Sequence, residues 1–508
     1  MKFRSLKNWE NLEELEGLAF FAQLLEELLY DKSLDTYKPS AMNTGSLSAE
    51  ARSLIRDIER DLIDKANLNH VLRELVVNLK KDEVARSLLD VDPASLIAAL
   101  EDEHASIQDK KVVIELISNT LNPRDYKSVN EALLSEAVRD VHQKNRIRAL
   151  TRSYITTLVS IGYSTRYLYP SVRRFFHWGN RKINSTEEIK EFFSLVSGSD
   201  QEYAAVFKVS QLFEEISDSC GELGLKITRD LEDPIRGEAE RKNFALNDGE
   251  FYVLIEKLQS KDVFAARSEA ERSMDLVGTL MSLFHHKEVP GWESQALLIN
   301  KTTNRSRLVG PPNNPMQLCA DLEAGHAAQK LNLFINEFTL SDDQDFQKFY
   351  RAAELHALSL KGDSPENQLL NLWVALETLV PSKLPSNKSK INNIIESILP
   401  FLQLDYFRML IDRLVRDFVL WNRRVFNRCI ASIDGEDDAE KLLRILLLQK
   451  HEKQKNELFS SLGDFYLLRN RAHYFSETLS SSKNIAGALQ AHWDRVDWQI
   501  RRIYRARN

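Results

Sequence analysis

Trp9–Tyr30, WENLEELEGLAFFAQLLEELLY, places Leu12, Leu15, Leu18, Ala19, Ala22, Leu25 and Leu29 three and four residues apart. That spacing is the apolar stripe of an amphipathic helix. Comparable patterns recur at 50–66, 68–90, 94–102, 110–121 and 128–160, with breaks at Asp92-Pro93 and Asn122-Pro123. Residues 1–185 are therefore expected to be mostly helical. The stretch 186–315 changes period. YAAVFKV (Tyr203–Val209), Leu225–Thr228 and FYVLIEKL (Phe251–Leu258) are short and rich in β-formers. Ala296–Asn300 and Ser306–Val309 flank a polar turn as a hairpin does, and a helix is expected over 264–285. Gly310-Pro311-Pro312-Asn313-Asn314-Pro315 reads as a linker, after which helices are expected near 316–338, 343–360, 365–380, 388–400, 404–431, 438–471 and 483–505. The predicted fold is mainly α and multi-domain: a helical region over 1–185, a small α+β domain over 186–315 and a helical bundle over 316–508.

Composition supports long helices. The 508 residues include 17 Gly and 13 Pro, about half the usual share, which is too few turn formers for a sandwich or barrel. No apolar run reaches the roughly 18 residues a membrane-spanning helix needs, and the charged N-terminus lacks the apolar stretch of a signal peptide. Cys220, Cys319 and Cys429 lie far apart, with no CxxC pair. These features point to a cytoplasmic protein with no cysteine-based zinc site. No phosphate-binding loop, dinucleotide fingerprint or HExxH is present. The pair His285-His286 lacks companion carboxylates at ligand spacing and reads as a helix end. The DGEDD run near 434–438 reads as a solvated loop. No metal or cofactor is expected.

The net charge of −7 is unevenly spread. Residues 1–140 are strongly acidic, whereas 141–185 contain nine bases and no acid. A partner within a Debye length feels that local reversal more than the total. The bases alternate with Tyr154, Tyr163, Tyr167, Tyr169, Phe175, Phe176 and Trp178. Such a mixture suits single-stranded RNA or a tRNA loop, with Arg146, Arg148, Arg152, Arg173 and Arg174 as candidate phosphate contacts. The competing reading makes the aromatics core and pairs the arginines with the acidic first 140 residues.

Two C-terminal segments carry the candidate chemistry. If Leu458–Tyr474 forms one straight helix, Leu458, Leu462, Phe465 and Tyr466 make an apolar stripe. Arg469 and His473 then fall within about 20° of Leu462 on that stripe. In LLNLWVALETLV (Leu369–Val380), Glu377 sits on the shoulder of the buried face. A buried carboxylate needs a cationic partner, and Arg469 or His473 is the expected one.

LLNLWVALETLV followed by DFYLLRNRAHYF resembles the HEPN superfamily, most closely its Apea-like branch, over roughly 340–508. The resemblance implies a dimerising helical bundle and a metal-independent ribonuclease of the kind found in antiviral and toxin systems. By the same resemblance His473 matches the catalytic histidine and Arg469 the catalytic arginine. Asn470 matches the polar residue after that Arg, and Glu377 the acid on the earlier helix. The family spacing between Arg and His is longer; here Asn470, Arg471 and Ala472 intervene. Metal-free RNA cleavage needs proton transfer at the ribose 2′-oxygen and the 5′-oxygen, which a His supplies near neutral pH. It also needs a cation on the phosphorane, which an Arg supplies. The expectation is an endoribonuclease effector of bacterial antiphage defence or abortive infection. It would act on tRNA or single-stranded RNA as a homodimer, restrained by its N-terminal regions until a phage-derived trigger arrives. The alternative is a non-catalytic RNA-binding or interaction protein with a degenerate bundle.

Overall fold

The computed structural model describes residues 3–31, 42–178, 181–288, 290–319, 321–337, 343–362, 364–380 and 389–507. The fold is mainly α, 66% helical, with one small five-stranded antiparallel sheet. Among the described residues, no helix is long and apolar enough to cross a membrane. Contacts divide the chain into two compact units. One contains Met1–Thr157, Phe176–Ile189 and Asn314–Asn508; the other contains Leu158–Phe175 and Lys190–Asn313. The compact units thus interleave along the chain, and the N-terminal and C-terminal helices share one of them.

In the smaller unit the strands are β1 (Gln201–Val209), β2 (Leu225–Thr228), β3 (Phe251–Ser260), β4 (Trp292–Asn300) and β5 (Arg305–Val309). Their order is β2-β3-β1-β4-β5. Successive side chains of a strand face opposite sides. Tyr203, Ala205, Phe207 and Val209 therefore join one core, with Ala266, Ala270 and Met274 of the helix Val263–Ser282. Ala204 and Val206 join a second core under Ile235 and Ala239 of a short helix, Ile235–Arg241. Burial on both faces explains why these strands read as continuous apolar runs. β4 and β5 form the expected hairpin, with Asn300 paired to Arg305. Asp262 caps the long helix, accepting from the amides of Phe264 (2.8 Å) and Ala265 (3.0 Å).

In the larger unit the N-terminal helix runs Glu16–Leu29, and every residue from Gly17 to Leu29 is buried. The helix expected to start near Trp9 begins seven residues later, after a turn in which Asn11 adopts a φ of 54°. Gly17 is required here: a Cβ would lie 2.2 Å from the Val138 carbonyl oxygen.

The C-terminal half holds the tryptophan helix (Pro365–Leu379), the helices Lys390–Leu404 and Tyr406–Ile430, and the terminal helix (Ser482–Arg507). Trp373 packs with Ile391, Ile394, Leu399 and Ile500 of these elements. The single helix expected over 438–471 is instead divided into Asp438–Leu447, Glu452–Ser461 and a motif helix, Tyr466–Thr478, with a short 3₁₀ turn at Gln449–His451. The break before the motif helix is Gly463, at a φ of 50°, in the left-handed region that glycine enters at least cost.

The ends of the chain meet in this unit. The buried Gln23 amide donates to the Asp464 carbonyl (2.8 Å), and its oxygen accepts from the Leu467 amide (3.0 Å). It thereby satisfies an unpaired donor at the start of the motif helix. On the terminal helix, Arg502 pairs with Glu74 (2.6 Å) and Glu50 (3.3 Å), and Arg505 pairs with Glu50 (2.5 Å).

Candidate nucleic-acid interface

The Gly463 break resets the helical phase and corrects the straight-helix expectation. The motif helix buries Leu467, Leu468, Arg471, Ala472 and Phe475. Arg471, not Arg469 or His473, is the core cation. It is 9% exposed and donates to Asp417 (2.9 Å), with Glu27 at 3.9 Å. Arg469 is half-buried, donates to Glu16 (2.9 Å), and lies 5.0 Å from the Tyr466 ring centre. His473 points to solvent, with its side chain 62% exposed and Nδ1 3.5 Å from the Glu477 carboxylate. Glu16 also takes an ion pair from Lys144. Burial raises its pKa, but the Lys144 and Arg469 cations outweigh that and hold it below the ordinary carboxylate value.

Glu377 is not the partner of either group. It accepts from the Trp373 indole (2.8 Å) and pairs with Lys390 (3.1 Å), with Arg507 at 3.8 Å. Burial raises its pKa, but the Trp373 hydrogen bond, then Lys390 and Arg507 from the neighbouring helices of its own core, outweigh that and keep it below the usual carboxylate range.

The acid-free stretch is sorted by the fold. Lys144 pairs with Glu16, Arg146 with Glu83 (2.6 Å) and Glu136 (3.0 Å), and Lys182 with Glu10 (2.6 Å). Most of its aromatics, Tyr154, Tyr163, Tyr169, Phe175 and Phe176, are buried core residues rather than an exposed stacking surface. Arg173 and Arg174 belong to the sheet-containing unit, where Arg173 lies 5.2 Å from the Tyr169 ring centre.

Arg148 and Arg152 differ. Both lie on the basic helix Lys144–Ser160, one turn apart. Arg148 donates to the Asn470 side-chain oxygen, and its guanidinium sits 5.8 Å from the Tyr474 ring centre. Burial, then Arg152 and Arg471, push its pKa down to about 10. Arg152 keeps an exposed surface, yet the protein around it and the neighbouring Arg495 push it down as well. Arg495, on the terminal helix, donates to the Tyr406 hydroxyl (3.3 Å). Among the described residues, none of these three guanidiniums meets a carboxylate.

The structure thus joins two groups chosen separately from the sequence. Arg148 and Arg152 come to the face of the motif helix that holds Asn470 and Tyr474. Arg495, Tyr474 and Glu16 escaped sequence reasoning because their roles depend on contacts hundreds of residues away. Arg471 was within reach, since Gly463 signals the phase change. Comparison with protein-family models, with curated proteins and with solved structures gives no match.

Proposed function

We propose that this chain binds single-stranded RNA and cleaves it by metal-independent chemistry at the motif helix. The observation that carries this reading is the bond from Arg148 to Asn470, which puts the carboxylate-free arginines beside the Arg469–His473 helix. In this reading His473 accepts the ribose 2′-OH proton as the 2′-oxygen attacks phosphorus. A second histidine protonates the departing 5′-oxygen, leaving 2′,3′-cyclic phosphate and 5′-OH ends. Arg469 leaves Glu16 and holds the phosphorane oxygens. The motif helix supplies a single arginine and histidine of this kind, so a second copy supplies the other pair, as the HEPN resemblance implies. The Glu16 contact is a restraint imposed by the N-terminal region, in keeping with a defence effector held inactive until triggered.

A non-catalytic RNA-binding role is the second reading, favoured by the engagement of Arg469 with Glu16. The two separate in one assay: mixed tRNA and a single-stranded RNA incubated in EDTA with wild type, His473→Ala and Arg469→Ala. Cleavage by wild type alone, with cyclic phosphate ends, supports the nuclease. Intact RNA that is nevertheless bound, with expression harmless, supports the second reading.

A further inference from the structure

Counter-charge in the larger unit is distributed unevenly. A cavity of about 570 Å³ is lined by Arg152, Arg495, Arg146 and Arg502 together with Glu74, Asp82, Glu83 and Asp494. Its acids are already engaged. Glu83 holds Arg146, and Glu74 holds Arg502. Asp82 accepts from Thr44 (2.5 Å) and Tyr126 (2.7 Å), and Asp494 from Gln490 (2.8 Å). Arg152 and Arg495, like Lys81 and Arg86 which also line it, face this space without a carboxylate among the described residues. Among the described residues, Arg152 makes no side-chain hydrogen bond, and Arg495 donates one, to Tyr406.

Arg148 continues the cluster toward Asn470 and Tyr474. The Tyr474 ring is half-exposed. Tyr406 is fixed behind Arg495 by a stack on His492, with ring centres 3.8 Å apart and planes within 11°. Three guanidiniums crowded together repel one another. That arrangement becomes favourable when a polyanion enters, because guanidinium forks bind phosphate oxygens in pairs. An exposed aromatic beside them offers a base a stacking surface.

We propose that Arg148, Arg152 and Arg495 bind a backbone phosphate of single-stranded RNA while Tyr474 stacks the adjoining base. This deepens the RNA-cleaving reading and rests on it for the identity of the polymer. The site sorts substrate by form: a stacked duplex cannot give its base to Tyr474, whereas a loop or tail can.

The test is fluorescence anisotropy in EDTA with a labelled 2′-O-methyl oligonucleotide, which binds but cannot be cleaved, across a salt series. Arg152→Gln and Arg495→Gln each weaken binding roughly tenfold and lower the slope of log affinity against log salt by about one. Tyr474→Ala weakens binding roughly tenfold with the slope unchanged. Lys182→Gln, an ion-paired base elsewhere, leaves both unchanged. Thermal unfolding guards against misfolding: Arg152→Gln melts at or above the wild-type temperature, because like-charge repulsion is relieved. Wild-type affinity and slope in both arginine variants overturn the site, as does a wild type that fails to bind. If the arginine variants bind normally while tRNA cleavage still depends on His473, the subsite falls and the nuclease stands. If they lose binding but no cleavage occurs, the subsite stands and the nuclease falls.

Discussion

Glu16 decides what Arg469 can do. Its carboxylate serves Arg469 and Lys144 together, and neither cation has another carboxylate among the described residues. Glu16→Gln removes the charge but keeps the shape. We expect RNA cleavage, or RNA affinity where cleavage is absent, to rise several-fold, since a phosphate no longer competes with a carboxylate for Arg469. The cost to stability is about 1 kcal/mol, the scale of a partly exposed pair. Unchanged RNA affinity and cleavage in Glu16→Gln would remove the restraint from the mechanism. That Arg469 and His473 share one helix was legible, because both lie within one stretch of sequence. The partner of each group was not. Glu16 is 453 positions from Arg469, and no local pattern encodes that distance. Glu377 shows the same limit: its need for a cation was readable, but Lys390 and Arg507 as the answer were not.

At the scale of elements, helix existence was readable and helix phase was not. Apolar periodicity located the helical stretches of the first half, the hairpin and the tryptophan helix, because each signal is local, but 68–90 and 128–160, each expected as one stretch, hold two helices apiece: Ala66–Leu79 and Glu83–Leu88, then Pro123–Ala137 and Lys144–Ser160. One glycine then rotated the motif helix relative to the segment before it. Gly463 at a φ of 50° costs an L-residue about 1 kcal/mol. We expect Gly463→Ala to lower stability by that amount, measured by urea unfolding, and to weaken RNA binding by loosening the Asn470–Tyr474 face. Gly17 is the stricter case. A methyl group there meets backbone at 2.2 Å, with no flexible side chain to yield. Gly17→Ala should destabilise by about 3 kcal/mol, an overpacking cost at a fully buried helix. A melting temperature within a degree of wild type would show that the N-terminal helix does not dock as described. Because that helix also carries Gln23 and Glu16, its loosening should release Arg469 as well.

Across the whole molecule, the acidic first 140 residues and the basic terminal helix are complementary, and the fold puts them together. This answers why the chain combines a modest net charge with a strong internal asymmetry. The sequence showed the acidic block but could not show that the terminal helix neutralises part of it. The junction includes a histidine. The His70 Nε2 atom lies 3.0 Å from an Arg501 nitrogen. Arginine only donates, so Nε2 accepts and must be unprotonated. Burial first, then Arg501, Arg73 and Arg505 against the opposing pull of Asp497, push the His70 pKa down to about 4. The unfolded chain titrates near 6.5. Above pH 7 both states are neutral there, and His70 adds no pH dependence. Between about 6.5 and 4 the unfolded state takes a proton that the folded state refuses, so stability falls as pH falls. At pH 5 the loss is about 1–2 kcal/mol, allowing for solvent at a partly exposed ring. His70→Gln keeps an acceptor for Arg501 and cannot charge. Urea unfolding should find the difference in stability between variant and wild type unchanged from pH 8 to 7 and shifting in the variant's favour by that amount at pH 5. A constant difference across the range would mean that the terminal helix does not press its arginines on His70. The docking of the C-terminus on the acidic N-terminal helices would then be wrong where it is easiest to measure.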